Sequence, residues 1–289
     1  MNKSFAVFSD VDGTIYGFPH KKLSEKVKEQ VLDLSSKNIP FVINTGNPVL
    51  EKIKRLAREL NSRYLSCSSG AIIYDMQEEK PLHIEIIDPN EAKKVWDLAL
   101  KADVSLYYAG VNQFYLYNVH DDIYEFLTSF NEYDKWITDG TIPADLHRIE
   151  AYGTKEQLEK FVDLYNQSDI KLDLVNVDYL YIEMSNPGVN KGSGMKWLCE
   201  NIFNADLADV MTIGDSPNDI PMFKLSGYSY AMDNSDQYTK SFAKYYTSDV
   251  LQDGLAEAIV DYLYRGDYEL KRAVSQMGNI AKTNKKIMY

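Results

Sequence analysis

The chain has 289 residues, of which 45% are hydrophobic and 26% charged, a globular composition that excludes a disordered or collagen-like protein and corresponds to roughly two domains. Its formal net charge of −12 argues against nucleic acid or anionic membrane as a partner, because such binding depends largely on Lys and Arg. No apolar run approaches the roughly 18 residues of a spanning helix, and the first residues do not form a signal peptide, so we expect a cytoplasmic protein.

The first 80 residues predict strands that alternate with helices. Strands are expected at residues 5–8, 39–43 and 64–67, with an amphipathic helix after each of the first two. Asn47 is predicted to cap the second helix and Pro48 to be its first residue. This alternation is typical of a parallel sheet with helical crossovers.

The middle of the chain has a different pattern, in which Tyr-rich strands alternate polar and apolar residues as in a sheet with one wet face. We therefore predict an α/β protein. Its doubly wound, Rossmann-like parallel-sheet core would comprise residues 1–83 and 185–289, with an inserted α+β domain at 84–184. The elements expected in the insertion are strands at 105–108, 114–117, 148–152 and 179–183 and helices at 90–102, 121–131 and 155–166.

The first pattern returns after residue 188. A helix is expected from Lys191 to about Phe203, with Trp197, Leu198 and Ile202 facing inward. A strand at 210–213, a helix opening at Pro217, weaker strands at 228–231 and near 245–246, and a helix at 253–264 complete the expected core.

Cysteine and histidine usage does not indicate a zinc site. Cys67 and Cys199 are too few for a disulfide framework and are expected to be buried small hydrophobic residues. The four His residues are far apart, without the spacing of a zinc hydrolase.

Three polar clusters each follow an expected strand directly: residues 10–14, 45–47 and 214–219. Ligands of an open parallel sheet bind beyond the carboxyl ends of its strands, so the clusters are expected at one edge. Asp10, Asp12 and Asp215 would place carboxylates there. Because close carboxylates repel each other unless a cation or a proton joins them, and oxygen ligands suit Mg²⁺, a magnesium site is expected.

Taken singly, the remaining polar residues have simpler interpretations. A lysine in a Gly-rich helix start, such as Lys191, is more often exposed to solvent. Thr45 alone is more often a residue that caps the end of a strand. Asn218 and Asp219 alone could simply be the residues that open a helix. These interpretations weaken because all the segments occur in order along one expected sheet edge.

Together these residues resemble the four motifs of the haloacid dehalogenase-like phosphohydrolases: Asp10-Val-Asp12-Gly-Thr, Thr45-Gly46, Lys191, and Gly-Asp215-x-x-Asn218-Asp219. The stretches at 187–192 and 253–255 and the large insertion are similar to the Cof-type branch, whose cap domain selects the substrate. The resemblance covers residues 5–264 or so.

The resemblance implies phosphoryl transfer in two steps. Asp10 would attack phosphorus and form an aspartyl-phosphate, and Asp12 would protonate the leaving oxygen and then deprotonate the hydrolytic water. Mg²⁺ would be held by Asp10, the carbonyl oxygen of Asp12, and Asp215.

The same resemblance implies how the phosphoryl group is bound. Its oxygens would accept hydrogen bonds from Thr45, the Gly46 amide, Lys191 and Asn218, and the helix start after Asn47 would add positive potential. Asp219 would orient Lys191 or a metal-bound water. A chain of net charge −12 could thus bind phosphate through a local positive field.

The sequence departs from the family pattern twice. Asn47 stands where this branch usually has Arg, which removes a cation near the site entrance, and Asp233-Asn234 stands where Gly-Asn is usual.

The resulting hypothesis is a Mg²⁺-dependent phosphatase that acts on a small phosphorylated metabolite, a sugar phosphate or a phosphorylated cofactor. The alternatives are a phosphomutase and a non-catalytic regulator that binds a phosphorylated ligand, for which the basic end at 265–289 is the most favourable feature. The cap residues considered for selectivity, with packing the favoured role for each, are Tyr107, Tyr115, Tyr117, His120, His147 and Arg148.

Overall fold

The computed structural model describes residues 4–17, 22–130, 135–177 and 179–267. The chain forms two compact units: unit 1 comprises Met1–Pro40 and Ala205–Tyr289, and unit 2 comprises Phe41–Asn204. The expected cap boundaries at 84 and 184 stay a prediction. His20 and most of the basic end, residues 268–289, lie outside the described residues.

The strands are numbered in chain order. They are β1 (Ala6–Ser9), β2 (Phe41–Asn44), β3 (Tyr64–Cys67), β4 (Ile72–Asp75), β5 (Lys80–Ile84), β6 (Ser105–Ala109), β7 (Phe114–Tyr117), β8 (Trp136–Ile137), β9 (Arg148–Tyr152), β10 (Asp173–Val177), β11 (Tyr181–Ser185), β12 (Val210–Gly214), β13 (Tyr228–Ala231) and β14 (Tyr245–Tyr246).

The helices are numbered in the same way. They are α1 (Glu25–Ser36), α2 (Glu51–Glu59), α3 (Pro89–Ala102), α4 (Asp121–Phe130), α5 (Lys155–Asn166), α6 (Lys191–Leu198), α7 (Ile220–Leu225), α8 (Gln237–Lys240) and α9 (254–267).

Unit 1 contains a parallel sheet with the strand order β14-β13-β12-β1. Every residue of β1 and β12 is buried, which is typical of parallel strands covered on both faces. The register pairs Ser9 with Ile213, so Asp10 and Asp215 follow neighbouring strands at the same edge. The predicted α/β class with a parallel sheet is confirmed.

Helices α1 and α9 of unit 1 form where the sequence pattern predicted them, whereas α7 begins at Ile220 after a 3₁₀ turn that starts at the predicted Pro217, and α8 was not predicted. The Ser24 side chain accepts the Val27 amide at the start of α1, which satisfies one of the helix's unpaired N–H groups. The apolar residues of α1 at helical spacing, Val27, Val31 and Leu34, are buried, and Leu255 and Ile259 of α9 are buried as well.

Unit 2 contains β2 and β3 as a parallel pair, followed by β4 and β5, which run antiparallel. This hairpin at 72–84 was not predicted from the sequence. The predicted start of α2 is also wrong: the helix begins at Glu51 with Leu50 at its N-cap position, because the Asn47 side chain binds Thr45 instead.

A second sheet in unit 2 has the order β10-β11-β9-β6-β7-β8 and is antiparallel except for the pair β7 and β8. Helices α3 and α5 pack together, and their buried residues form one apolar core with those of β6, β9 and β11. The strand expected at 179–183 is observed as Tyr181–Ser185, because Tyr179 has a left-handed backbone (φ 54°).

The helix expected from Lys191 to about Phe203 changes character part-way. Helix α6 ends at Leu198, and Cys199–Phe203 form a wider π-helical turn. Leu198 is buried as expected, but Ile202 is exposed, so its predicted inward orientation is wrong. The burial predicted for Cys67 and Cys199 is confirmed.

Among the described helices, none combines the length and the apolar character that crossing a membrane would require.

Candidate active site

The loop after β1 turns back tightly. The carbonyl oxygen of Val11 accepts hydrogen bonds from the amides of Ile15 (2.9 Å) and Thr14 (3.3 Å), and the Gly13 amide donates to Tyr16 (2.9 Å). Gly13 has φ +84°, and a Cβ there would lie 2.6 Å from the Asp215 carboxyl carbon. Both the turn and the close approach of Asp215 therefore require glycine.

Three carboxylates of unit 1 converge beside this loop. Asp10, Asp215 and Asp219 each offer an oxygen atom, and these atoms all lie within 4.8 Å of one another. Asp10 and Asp219 are buried, with 6% and 0% of their surface exposed. The Thr14 hydroxyl donates to Asp215 Oδ1 at 3.2 Å, which helps to fix that carboxylate.

Asp219 holds the loop that follows β12. Its Oδ2 atom accepts the backbone amides of Asp215 (2.9 Å) and Ser216 (3.0 Å). The 3₁₀ turn Pro217–Asp219 brings the carboxylate back over the loop. Only an indirect role was predicted for Asp219, whereas its carboxylate belongs to the same cluster as Asp10 and Asp215.

The cluster fits a divalent cation. Three carboxylates so close together, two of them buried, repel one another unless a cation or protons compensate. The donor set contains oxygen atoms only, which suits Mg²⁺ better than Zn²⁺. Asp10, Asp215 and Asp219 are therefore the side chains that would hold such an ion.

Asp12 lies on the same loop, but its side chain does not belong to the cluster. The backbone of Asp12 pairs with that of Tyr16 in a single β-bridge. Burial, together with the charges of Asp12 and Asp10, raises the pKa of Tyr16 above its ordinary value, so the phenol stays protonated. Asp12 therefore has a polar and acidic neighbourhood without sharing the three-carboxylate cluster.

Asn234 supports the loop from the segment after β13, a contact that the sequence analysis did not predict. Its side-chain amide donates to the carbonyl oxygen of Gly13 (2.9 Å), and its Oδ1 accepts the Val250 amide (3.1 Å). The neighbouring Asp233, which departs from the pattern that the sequence resembles, has an exposed side chain that pairs with Lys240 at 2.9 Å. The extra negative charge is thus balanced locally.

In unit 2, the loop after β2 carries Thr45, Gly46 and Asn47. Thr45 is buried, and its amide donates to the carbonyl oxygen of Ser66 at 2.8 Å. Its hydroxyl oxygen accepts both the backbone and the side-chain amide of Asn47, each at 3.1 Å. Since α2 begins only at Glu51, the positive end of a helix expected directly after Asn47 is not present at this loop.

Lys191 is the first residue of α6 and is fully buried, so the solvated interpretation is wrong. Asn190 caps the helix through its side chain, which accepts the amides of Gly192 and Ser193. The Asn44 side chain donates to the carbonyl oxygen of Lys191 at 2.9 Å. Because Asn44 directly precedes Thr45, this bond connects the loop after β2 to the start of α6.

Asn218 occupies an exposed position in unit 1. Its side-chain oxygen accepts the Ser216 hydroxyl at 2.9 Å.

Two consecutive residues at the start of β9 contact the loops after β2 and β3. The Arg148 guanidinium donates to the carbonyl oxygen of Gly46, and His147 Nε2 lies 3.0 Å from the Ser68 hydroxyl. Although burial opposes its charge, Glu150 and Glu183 raise the pKa of Arg148 above its usual range. The guanidinium therefore stays charged within unit 2.

The other residues considered for selectivity have packing or polar partners within unit 2. Tyr115 belongs to the apolar core of unit 2, and Tyr117 packs against it. Tyr107 stacks with Phe114, and His120 lies 3.1 Å from Asp103.

The predicted site residues thus include two connected groups, one in each unit. In unit 1 it brings together Asp10, Asp215 and Asp219. In unit 2, Asn44 links the loop of Thr45 and Gly46 to Lys191.

Comparison with known proteins identifies a matching family and similar proteins. A model of the haloacid dehalogenase-like hydrolase family matches residues 7–259. The chain is similar to the 5-amino-6-(5-phospho-D-ribitylamino)uracil phosphatase YcsE of Bacillus subtilis (strain 168), with 27% identity over 256 residues that cover 86% of this chain and 92% of that enzyme.

This chain is also similar to a second phosphatase and to a solved crystal structure. A phosphoglycolate phosphatase of Methanosarcina acetivorans is 36% identical over 102 residues, which are 35% of this chain and 44% of that enzyme. The crystal structure of a haloacid dehalogenase-like hydrolase from Bacteroides thetaiotaomicron superposes with a TM-score of 0.76 at 23% identity, covering 90% of this chain and 99% of that chain.

Proposed function

The chain belongs to the haloacid dehalogenase-like hydrolase family, and from this premise we propose that it is a Mg²⁺-dependent phosphatase that hydrolyses small phosphate monoesters through an aspartyl-phosphate on Asp10. It is a phosphatase, as its relatives of that activity indicate. The metal dependence, the covalent intermediate and the residue roles are the parts that we propose.

The observation that carries the proposal is the cluster of Asp10, Asp215 and Asp219, whose oxygen atoms lie within 4.8 Å of one another. Oxygen donors grouped this closely suit Mg²⁺. When bound there, Mg²⁺ supplies positive charge that lets an anionic nucleophile approach an anionic phosphate ester. The cluster therefore favours phosphoryl transfer over binding alone.

Asp10 is the proposed nucleophile. Its carboxylate oxygen forms a bond to phosphorus as the bond to the leaving alkoxide breaks, which gives an acyl phosphate and splits hydrolysis into two steps. Asp12 gives its proton to the leaving oxygen and later takes one from the attacking water. Water attack on phosphorus then releases inorganic phosphate and restores the Asp10 carboxylate.

The phosphoryl oxygens are assigned to Thr45, the Gly46 amide, Lys191 and Asn218. Lys191 supports this assignment because it is a fully buried cation at the first position of α6, and its ammonium group can donate hydrogen bonds to phosphoryl oxygens. Fixed donors aimed at the phosphoryl oxygens stabilise the charge that shifts onto them in the transition state.

We also propose that residues 84–184 form the cap that selects the leaving group. The Bacillus subtilis relative is named for a phosphorylated ribityl compound. Phosphate esters of sugars and sugar alcohols therefore come first in the substrate panel, followed by phosphorylated cofactors.

The decisive experiment measures phosphate release from that panel with Mg²⁺ and with a chelator, for the wild type and for Asp10→Asn. The proposal expects release that requires Mg²⁺ and falls below about 1% of the wild-type rate in the variant, because the nucleophile is lost. Asp163→Asn, an exposed substitution on α5, is the matched control and is expected to retain full activity.

Release by the chelated enzyme, or by Asp10→Asn at the wild-type rate, would contradict the proposed chemistry. Transfer of the phosphoryl group to a second sugar hydroxyl without net phosphate release would instead identify a phosphomutase. Binding of phosphate esters with neither release nor transfer would identify a regulator.

A further inference from the structure

The Thr45 hydroxyl is oriented by Asn47. A hydroxyl has one proton to donate and two lone pairs that can accept. Thr45 Oγ1 accepts the backbone amide and the side-chain amide of Asn47, each at 3.1 Å. With both lone pairs engaged, the remaining capacity of this hydroxyl is to donate its own proton.

Each backbone carbonyl group of the same loop accepts a hydrogen bond from another part of the protein. The Thr45 oxygen accepts the Ser69 amide (3.0 Å), and the Asn47 oxygen accepts the Ser68 amide (2.9 Å). Between them, the Gly46 oxygen accepts the Arg148 guanidinium. Three successive carbonyl groups, which would repel an anion, are therefore directed towards donors of the protein.

The bond to Gly46 also determines the direction of the Asn47 amide. In a trans peptide the carbonyl and the next N–H point in opposite directions. When Arg148 holds the Gly46 oxygen, the Asn47 N–H is held on the other side, where it donates to Thr45 Oγ1. Arg148 therefore acts on the Thr45 hydroxyl through one peptide unit.

Arg148 is itself held firmly. It is 5% exposed, and its guanidinium lies 2.8 Å from a carboxylate oxygen of Glu150 and 2.8 Å from one of Glu183. The planar fork of arginine can engage several acceptors at once, which the point charge of lysine does less well. The neighbouring His147 adds a contact to Ser68, so β9 supports both loops.

We propose that Asn47 and Arg148 are positioning residues for phosphate binding, which together direct the Thr45 hydroxyl proton to a phosphoryl oxygen. This inference rests on the proposed function. It assigns a role to Asn47, one of the positions at which the sequence departs from the pattern that it resembles. A short amide folds back onto Thr45, and Arg148 brings a guanidinium to the loop from another strand.

A double-mutant cycle tests the part of Asn47. Asn47→Leu removes the side-chain donor at similar volume, and Thr45→Val removes the hydroxyl at similar volume. The readouts are inhibition by inorganic phosphate and kcat/KM for p-nitrophenyl phosphate. Asn47→Leu is expected to weaken phosphate binding about 3- to 10-fold, the size of one hydrogen bond, and to have no further effect in the Thr45→Val background.

Equal effects of Asn47→Leu in both backgrounds would mean that Asn47 acts independently of Thr45 and would overturn the inference. Asn47→Asp tests whether a hydrogen-bond donor is needed at position 47. Its carboxylate would accept the Thr45 proton and add negative charge, so it is expected to weaken phosphate binding more than Asn47→Leu. Weaker damage from Asp than from Leu would also count against the inference.

Arg148→Lys tests the second residue while keeping a positive charge beside the two carboxylates. Phosphate binding is expected to weaken about 3- to 10-fold, while Tm changes little. Should this variant fold poorly, the triple variant Arg148→Met, Glu150→Gln, Glu183→Gln removes the buried charges together, with the same expected loss. Arg63→Lys, at a half-exposed ion pair with Asp75, is the matched control.

The outcomes separate this inference from the proposed function. An active wild type whose phosphate affinity is unchanged by Asn47→Leu or Arg148→Lys overturns the inference and leaves the phosphatase activity standing. A folded wild type that neither hydrolyses phosphate esters nor binds inorganic phosphate overturns both.

Discussion

The Oδ2 atom of Asp219 accepts the backbone amide of Asp215 across 2.9 Å. One carboxylate of the cluster therefore orients the chain that carries another. The Ser216 amide donates to the same oxygen at 3.0 Å. The Asp219 carboxylate has a structural task through Oδ2 and, as a member of the cluster with Asp10, a proposed metal-binding task as well.

Asp219→Asn is expected to separate these two tasks. The asparagine oxygen can keep both backbone hydrogen bonds, so Tm should change by no more than a few degrees. One negative charge is lost from the cluster, so the Mg²⁺ concentration for half-maximal activity should rise about 10- to 100-fold, as for groups that support metal ligands. A Mg²⁺ titration of phosphate release measures this shift.

Asp233→Asn is the matched control for Asp219→Asn, because Asp233 is an exposed acid of the same unit that pairs with Lys240. Its Mg²⁺ dependence is expected to equal that of the wild type. An unchanged titration in Asp219→Asn would show that this carboxylate does not contribute to metal binding.

Asp12→Asn is expected to distinguish leaving groups. If Asp12 protonates the leaving oxygen, alkyl phosphates should lose about 10²- to 10⁴-fold in kcat. p-Nitrophenyl phosphate should lose much less, because a nitrophenolate leaves without a proton. Steady-state kinetics on both substrates measure the difference, and equal losses would contradict the general-acid assignment.

The unit 1 site could largely be predicted from the sequence. Asp10 and Asp215 follow short apolar strands, and neighbouring parallel strands bring their ends together whatever the distance along the chain. The inclusion of Asp219 in the cluster was missed because it depends on the 3₁₀ turn Pro217–Asp219, a detail of turn geometry that periodicity does not specify.

The contacts of the loop after β2 could not be predicted in the same way. Asn47 followed by Pro48 is a common helix start, yet the Asn47 side chain binds back to Thr45 and the helix begins at Glu51. Arg148 reaches Gly46 across 102 residues of sequence, a pairing that no local pattern indicates. The hairpin at 72–84 was missed because β4 is short and buried throughout, so it lacks the alternation of a half-exposed strand.

Cys67 and Cys199 are expected to be unreactive in the native protein. Burial raises the pKa of each thiol to about 12, and the thiolate is the reactive form. Native protein at pH 8 should therefore leave Ellman's reagent unreacted over minutes, whereas both thiols should react at once in guanidinium chloride. Rapid reaction of one thiol without denaturant would contradict the buried assignment.

His147 is held as the neutral tautomer with its proton on Nδ1. Nδ1 lies 3.1 Å from the carbonyl oxygen of Asp145, which can only accept, so Nδ1 carries the hydrogen. Nε2 then accepts the Ser68 hydroxyl at 3.0 Å. Burial, with a smaller contribution from the Arg148 charge, lowers the pKa of His147 from 6.5 to about 4.

This lowered pKa makes stability depend on pH in a defined direction. Between pH 6.5 and about 4 the unfolded chain binds a proton at His147 that the folded chain does not, so the free energy of unfolding decreases as the pH falls through this window. Across the whole window, His147 lowers the free energy of unfolding by about 3 kcal/mol. Above pH 6.5 its contribution to the free energy of unfolding does not change with pH.

His147→Gln is expected to remove that part of the pH dependence, because glutamine offers Ser68 an acceptor oxygen but does not titrate. Urea unfolding at a series of pH values from 7 to 4 measures it, with His120→Gln, at a half-exposed histidine beside Asp103, as the matched control. The wild type and the control should lose stability more steeply than His147→Gln as the pH falls. Parallel curves for all three proteins would mean that His147 does not hold a lowered pKa in the folded chain.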